Sequence, residues 1–163
     1  MTVDLKEFFL KQKQATHQGT LGVLAEIPPD QLGWRPAGDM LSLGQIARHL
    51  WMSEEGVRRV ALEGNWGYYA KRVPQGLFAM LGDVDSLRDE LGELERVHQE
   101  TLRAVADFPL GRWQEERVSD EFNIRRKVAV VLFGINEHQI HHRAQVGAYL
   151  HILTGQRASP YAL

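Results

Sequence analysis

The chain contains no cysteine in its 163 residues. Disulfides, thiolate metal ligands and a protein-borne thiol nucleophile are thereby excluded. Any metal must be held by His, Asp or Glu, and any thiol chemistry must use a thiol from solution. Neither sign of charge dominates: 19 Lys and Arg face 21 Asp and Glu, for a net charge of −2. No basic run is long enough to track a phosphate backbone, so nucleic acid is not an expected partner. No apolar stretch approaches the roughly 20 residues that a membrane span needs. The opening Met1-Thr2-Val3-Asp4-Leu5-Lys6-Glu7 lacks the charged-then-apolar layout of a signal peptide. There is no internal repeat and no low-complexity tract. The expectation is one cytoplasmic domain over residues 1–163, with a small-molecule partner and no membrane association.

What the chain does have is a concentration of histidine. Three of its seven histidines fall within five positions of Asn136-Glu137-His138-Gln139-Ile140-His141-His142-Arg143-Ala144-Gln145. The surrounding periodicity is helical, and residues i and i+4 share a helical face. His138 and His142 can therefore aim both rings at one point, as a metal ion requires. An isolated H-x-x-x-H fixes neither metal nor reaction, so a third ligand must come from elsewhere.

The spacing predicts four long helices. The first covers about residues 3–26 and stops at Pro28-Pro29, which cannot continue a helix. Gly19 and Gly22 weaken its second half by roughly 1 kcal/mol each, which implies close helix contact or a bend. A turn-rich loop follows, and Ser42 with Gln45 forms a capping-box pattern for the second helix. Its apolar face carries Leu43, Ile46, His49, Leu50, Ser53, Val57 and Val60. The glycine- and aromatic-rich link after Gly64, about 20 residues, exceeds a usual bundle loop and is expected to fold over something. Asp85 or Ser86 opens the third helix, with stripe Leu87, Leu91, Leu94, His98, Leu102 and Val105, ended by Phe108-Pro109. Residues 110–123 show no assignable pattern. The fourth helix covers about residues 125–153, before Thr154-Gly155, and turns Val128, Val131, Leu132, Ile135, His138, His142, Val146, Tyr149 and Leu153 inward. Without a convincing strand, the expected fold is all-α: an antiparallel four-helix bundle with a long link between helices two and three and room for one crossover connection.

Bundles build metal sites from side chains projecting inward from facing helices. His49, His138 and His142 all occupy stripe positions where apolar residues are expected, and a bare imidazole there costs desolvation unless its nitrogens find partners. One such histidine reads as a satisfied core residue; three on two helices read as a metal site. His141 lies about 60° around the helix from His138 and could pair with it at i,i+3, but His142 sits in the apolar register, which leaves His141 a flanking position. Glu95-Arg96-Val97-His98 matches one Glu-x-x-His element of a di-iron bundle, which needs two; His98 instead reads as a buried histidine lining the pocket. His17 and His151 read as peripheral. Trp51, Trp66 and Trp113 read as packing, and the glutamates of helices two and three as solvated faces. Arg143 points about 100° away from His142, a structural or supporting position.

Trp34-Arg35-Pro36-Ala37 followed by Ser42-Leu43-Gly44-Gln45-Ile46-Ala47-Arg48-His49-Leu50 resembles the first signature of the DinB/YfiT-like proteins, and His138-Gln139-Ile140-His141-His142-Arg143-Ala144-Gln145 resembles the second. Ala144 stands where that family usually has glycine. The resemblance covers the whole chain in length and helix layout. It implies a four-helix bundle with a divalent metal, often nickel or zinc, on His49, His138 and His142, and a homodimer. It also implies relatives that act as thiol-dependent S-transferases or isomerases using bacillithiol or mycothiol. Three neutral imidazoles leave a coordination position open, the pattern of a catalytic site, although His and water suit nickel, zinc, iron and copper alike. Three functions fit: a metal-dependent thiol S-transferase acting on a small electrophile, a metal-dependent small-molecule hydrolase, and a non-catalytic metal-binding or stress-response module.

Overall fold

Asp4 starts the first helix by accepting hydrogen bonds from the amides of Lys6 and Glu7, the usual service of an N-cap carboxylate. The structure is a computed structural model that describes residues 4–156, so Val3, the expected first helical residue, lies outside the described residues. Helix α1 spans Leu5–Leu24, α2 Leu43–Glu63, α3 Gly67–Arg72, α4 Leu77–Leu81, α5 Leu87–Asp107 and α6 Val128–Thr154. The expected all-α architecture is present, and its four long members are α1, α2, α5 and α6. Ser42 and Gln45 form the capping box in full: the Gln45 amide donates to Ser42 Oγ at 3.2 Å, and Gln45 Oε1 accepts from the Ser42 amide at 3.1 Å. Gly64 and Gly155 end α2 and α6 in the left-handed conformation that glycine adopts without strain.

Side-chain contacts fix the helix directions. Lys6 reaches the Ala106 carbonyl, Lys13 reaches His98 and His17 reaches Glu95, so α1 and α5 run antiparallel. Arg48 pairs with Glu90 and Arg58 with Glu100, so α2 and α5 run parallel. Parallel neighbours in sequence require a crossover, and the long link supplies it. Gly56 on α2 lets this link lie close: a Cβ there would come within 2.8 Å of both Tyr68 and Tyr69. Arg48 pins the far end of the link by donating to the carbonyls of Leu81 and Asp83.

The expectation of no strand is corrected by a small antiparallel hairpin, Glu116–Ser119 (β1) and Ile124–Lys127 (β2), with Ser119 opposite Ile124. It falls largely in the segment that showed no sequence pattern. Four-residue strands carry too little periodicity to register, and the turn uses Asn123 at φ 49° rather than glycine. Arg117 anchors the hairpin by donating to the carbonyls of Val60 and Ala61 in the last turn of α2, the negative end of the helix.

The interior is layered. One apolar cluster gathers Leu43, Ile46, Leu50, Leu94, Val146 and Leu150. The other gathers Phe9, Val105, Phe108, Trp113, Leu132 and Ile135. Along every long helix, buried polar residues lie between the two: Lys13 and Thr20 on α1, Glu54 on α2, His98 and Thr101 on α5, Gln139 on α6. On α6, His138 and His142 lie in this same stretch, between Ile135 and Val146, while His49 on α2 lies among the first cluster's residues.

Candidate metal centre

The polar layer is built around Lys13, whose side chain is fully buried. Its ammonium donates to Glu54 Oε2 at 2.9 Å and to His98 Nδ1 at 3.0 Å. Gln139 Nε2 donates to the same Glu54 oxygen at 2.7 Å. His98 stacks on His17, centroids 3.6 Å apart, and His17 Nε2 meets Glu95 Oε2 at 2.7 Å. Burial, with the Lys13 charge second, pulls His98 far below the ordinary imidazole range; burial also lowers His17, against the opposing pull of Glu95. Several expectations are corrected here. His17 is buried rather than peripheral, His98 packs in this layer rather than along a cavity wall, and Glu54 and Glu90 are buried rather than solvated. Glu90 accepts from Arg48 and from Trp51 Nε1, so Trp51 hydrogen-bonds as well as packs. His151 is exposed.

Across the α2–α6 seam, His49, His138 and His142 converge. His138 Nε2 lies 3.0 Å from His49 Nε2 and 3.1 Å from His142 Nε2. One ring nitrogen from each residue falls within 4.8 Å of the others. His142 is buried; His49 and His138 are half-buried. Gln145 Nε2 donates to the Tyr149 hydroxyl at 2.9 Å, which turns Gln145 Oε1 toward His142 Nδ1 at 2.8 Å. An amide oxygen can only accept, so His142 carries its proton on Nδ1 and presents a bare Nε2 lone pair to its neighbours. The Ser53 hydroxyl lies 3.3 Å from His49 Nδ1.

This arrangement fits a cation. Two nitrogens bound to one zinc-like ion at about 2.0–2.1 Å lie roughly 3 Å apart, the spacing of His138 Nε2 from each of the other two rings, and all three nitrogens fall within 4.8 Å of one another. Without an ion the three Nε2 atoms cannot all be paired: with His142 Nε2 bare, a proton on His138 Nε2 is shared between two acceptors, and a proton on His49 Nε2 leaves the His138–His142 contact with none. Burial first, then the neighbouring rings, push His49 down to about 4 and His138 down to about 3, so both are neutral and free to ligate at pH 7. His141 is exposed, its ring edge-on to His142 with centroids 4.9 Å apart. Arg143 turns to α1, where its guanidinium covers Gly19: a Cβ on Gly19 would collide with it. The close contact expected at Gly19 is thus a side chain crossing the helix. Gly22 has open space.

Two cavities flank the triad. One, of about 640 Å³, is walled by the link through Trp66 and Tyr69, by the hairpin through Phe122, and by α6 through Gly134 and His138. The other, of about 240 Å³, meets His49. Ser53, Tyr69 and Val73 border both. Burial raises the Tyr69 phenol well above its usual range; it stays protonated and donates to the Ser53 carbonyl at 3.3 Å. Sequence reasoning missed Lys13, Glu54, Gln139 and Gln145, because polar residues at inward positions look the same as polar residues facing water.

An all-α protein with three histidines gathered between two of its helices is the class that fold and site define. The DinB superfamily model matches residues 12–146, and the chain belongs to that superfamily. The fold is similar to the crystal structure of a DinB-like protein, YjoA, from Bacillus subtilis, with a TM-score of 0.72 over 94% of this chain and 95% of that one, at 17% identity. No curated protein matches the chain. Among the described residues no helix is long and apolar enough to cross a membrane.

Proposed function

We propose that the protein is a metal-dependent enzyme that transfers a low-molecular-weight thiol to a small electrophile, with His49, His138 and His142 holding one divalent ion. The observation that carries this reading is the convergence of three neutral ring nitrogens beside a cavity large enough for a small molecule. A nickel, zinc or iron ion there supplies a Lewis acid that lowers the pKa of a thiol or water in its open position. The chain's own residues position and exclude. Gln145 fixes the His142 tautomer, Ser53 steadies His49, and the rings of Trp66, Tyr69 and Phe122 wall the cavity that His138 borders. The chain has no cysteine, so the thiol comes from solution, of the bacillithiol or mycothiol kind, in a reducing cytoplasm.

A second reading is hydrolysis of a small molecule. It is favoured by the mostly apolar cavity wall, which offers a sugar-bearing thiol few hydrogen-bond partners. The proposed assembly is a homodimer, supported by apolar side chains left exposed on α6, notably Ile152 at 64% and Val130 at 54%. A strict monomer in sedimentation at micromolar concentration refutes that assembly.

Elemental analysis of tag-free protein tests the centre. One equivalent of divalent metal is expected in the wild type and in His151→Ala, and none in His138→Ala or His142→Ala. Full metal content in His138→Ala sinks the triad. Metal-loaded protein given bacillithiol, mycothiol or free cysteine with a chromogenic electrophile should form the conjugate, and His142→Ala should not. Metal-dependent ester cleavage without conjugation replaces the first reading with the second. Silence in both assays leaves a non-catalytic metal-binding module.

A further inference from the structure

Gly134 lies well inside α6, where glycine is among the least favourable residues for a helix. Packing does not explain it. A Cβ on Gly19, Gly44 or Gly56 would collide with a neighbouring group, but a Cβ on Gly134 would meet nothing within 4 Å. Its φ is not positive, so no turn geometry demands glycine either. The space in front of Gly134 is the 640 Å³ cavity, and His138, four residues on and on the same helical face, borders the same space. That volume is in the range of small-molecule sites. Facing α6 are Trp66 and Phe122, stacked with centroids 5.8 Å apart and planes 29° from parallel, with Tyr69 edge-on to Phe122 at 6.4 Å. The exposed Arg126 and Glu137 supply the lining's charged groups.

We infer that this cavity takes a small molecule with an apolar, aromatic body, laid across α6 at Gly134 with its reacting end toward His138, and that Gly134 sets how large that body is. The inference deepens the proposed function and rests on it for the position of the reacting end. Aromatic faces on the link and hairpin stack on a flat ring. The missing side chain at residue 134 leaves that ring room one helical turn from the triad. The body is held by burial and ring stacking, so its binding does not need a metal.

Calorimetric titration with 2-naphthol, a neutral aromatic probe, tests this on both metal-loaded and chelator-treated protein. One equivalent is expected to bind, with dissociation constants for the two forms within twofold. Gly134→Leu should weaken binding at least tenfold while its Tm stays level or rises. Phe122→Ala, on the opposite wall, should weaken it severalfold and covers the case of a Gly134→Leu chain that does not fold. Unchanged affinity in both variants overturns the inference, as does absence of binding to wild type. A wild-type dimer that Gly134→Leu splits, with no naphthol heat in either protein, would show that a second copy covers this face, and would also overturn it. Metal-dependent binding of the probe would contradict the apolar mode. Loss of metal with binding retained would sink the triad and leave the cavity assignment standing.

Discussion

Gln145 stands three residues beyond His142 and decides which nitrogen of that ring faces the cluster. Its amide is itself oriented by Tyr149, so a chain of two hydrogen bonds, 2.9 and 2.8 Å, runs from the hydroxyl to the imidazole. Partners of this kind, once removed from a metal, are worth about 10–100-fold in affinity. Gln145→Ala should therefore retain one metal per chain at saturation but bind it about 10–100-fold more weakly, as read by competition with a chromophoric chelator. Tyr149→Phe leaves the Gln145 amide without its oriented acceptor and should show a smaller effect in the same direction. An affinity equal to wild type in Gln145→Ala would mean that the tautomer is set some other way.

Between the helices, the Lys13–Glu54 pair joins α1 to α2 and, through His98 and Gln139, reaches α5 and α6. Both side chains are almost wholly out of solvent, at 0% and 1%. Removing one partner from such a pair strands the other charge and costs about 3–5 kcal/mol, whereas replacing both with apolar groups is often near neutral. Lys13→Met should lower unfolding stability by about that amount in urea titration. Lys13→Met combined with Glu54→Leu should recover a large part of it, less whatever Gln139 loses when its acceptor goes. A single variant as stable as wild type would show that the layer contributes nothing. The layer's second consequence is register: apolar clusters on either side of it tolerate sliding, but hydrogen bonds to a shared carboxylate do not.

Taken over the whole molecule, the buried histidines make stability depend on pH. His98 faces Lys13 and His17 from α1, Lys13 in turn faces Glu54, and His17 faces Glu95. All the shifts on His17, His49, His98, His138 and His142 are downward, mainly from burial. Above about pH 6.5 these rings are neutral folded and unfolded, so pH has no leverage through them. Below it the unfolded chain takes up protons that the fold refuses, and stability falls as pH drops toward the folded values. The Tm of metal-free protein should be level between pH 7 and 8, then fall steadily from about 6.5 to about 4. His98→Gln should reduce that slope. A Tm unchanged from pH 7 to 4.5 would show that the rings are not held neutral.

Local signals that rest on one residue's conformational preference or on simple periodicity were legible without a structure. Ser42 and Gln45 specify a helix start, Pro28-Pro29 a stop, and the stripes on α2, α5 and α6 the inward faces. Histidines at positions 49, 138 and 142 in apolar register mark a shared site, because an imidazole there needs a partner. The tertiary structure alone decided the rest. Lys13, Glu54 and Gln139 gain meaning only when α1, α2 and α6 bring opposite charges and amides within 3 Å, since charge complementarity across helices leaves no trace in spacing. The parallel run of α2 and α5, and the hairpin held by Arg117, depend on where carbonyls and carboxylates end up in space. So does the emptiness before Gly134: a helix pattern shows that glycine is unfavourable there, and only packing shows that nothing fills the gap.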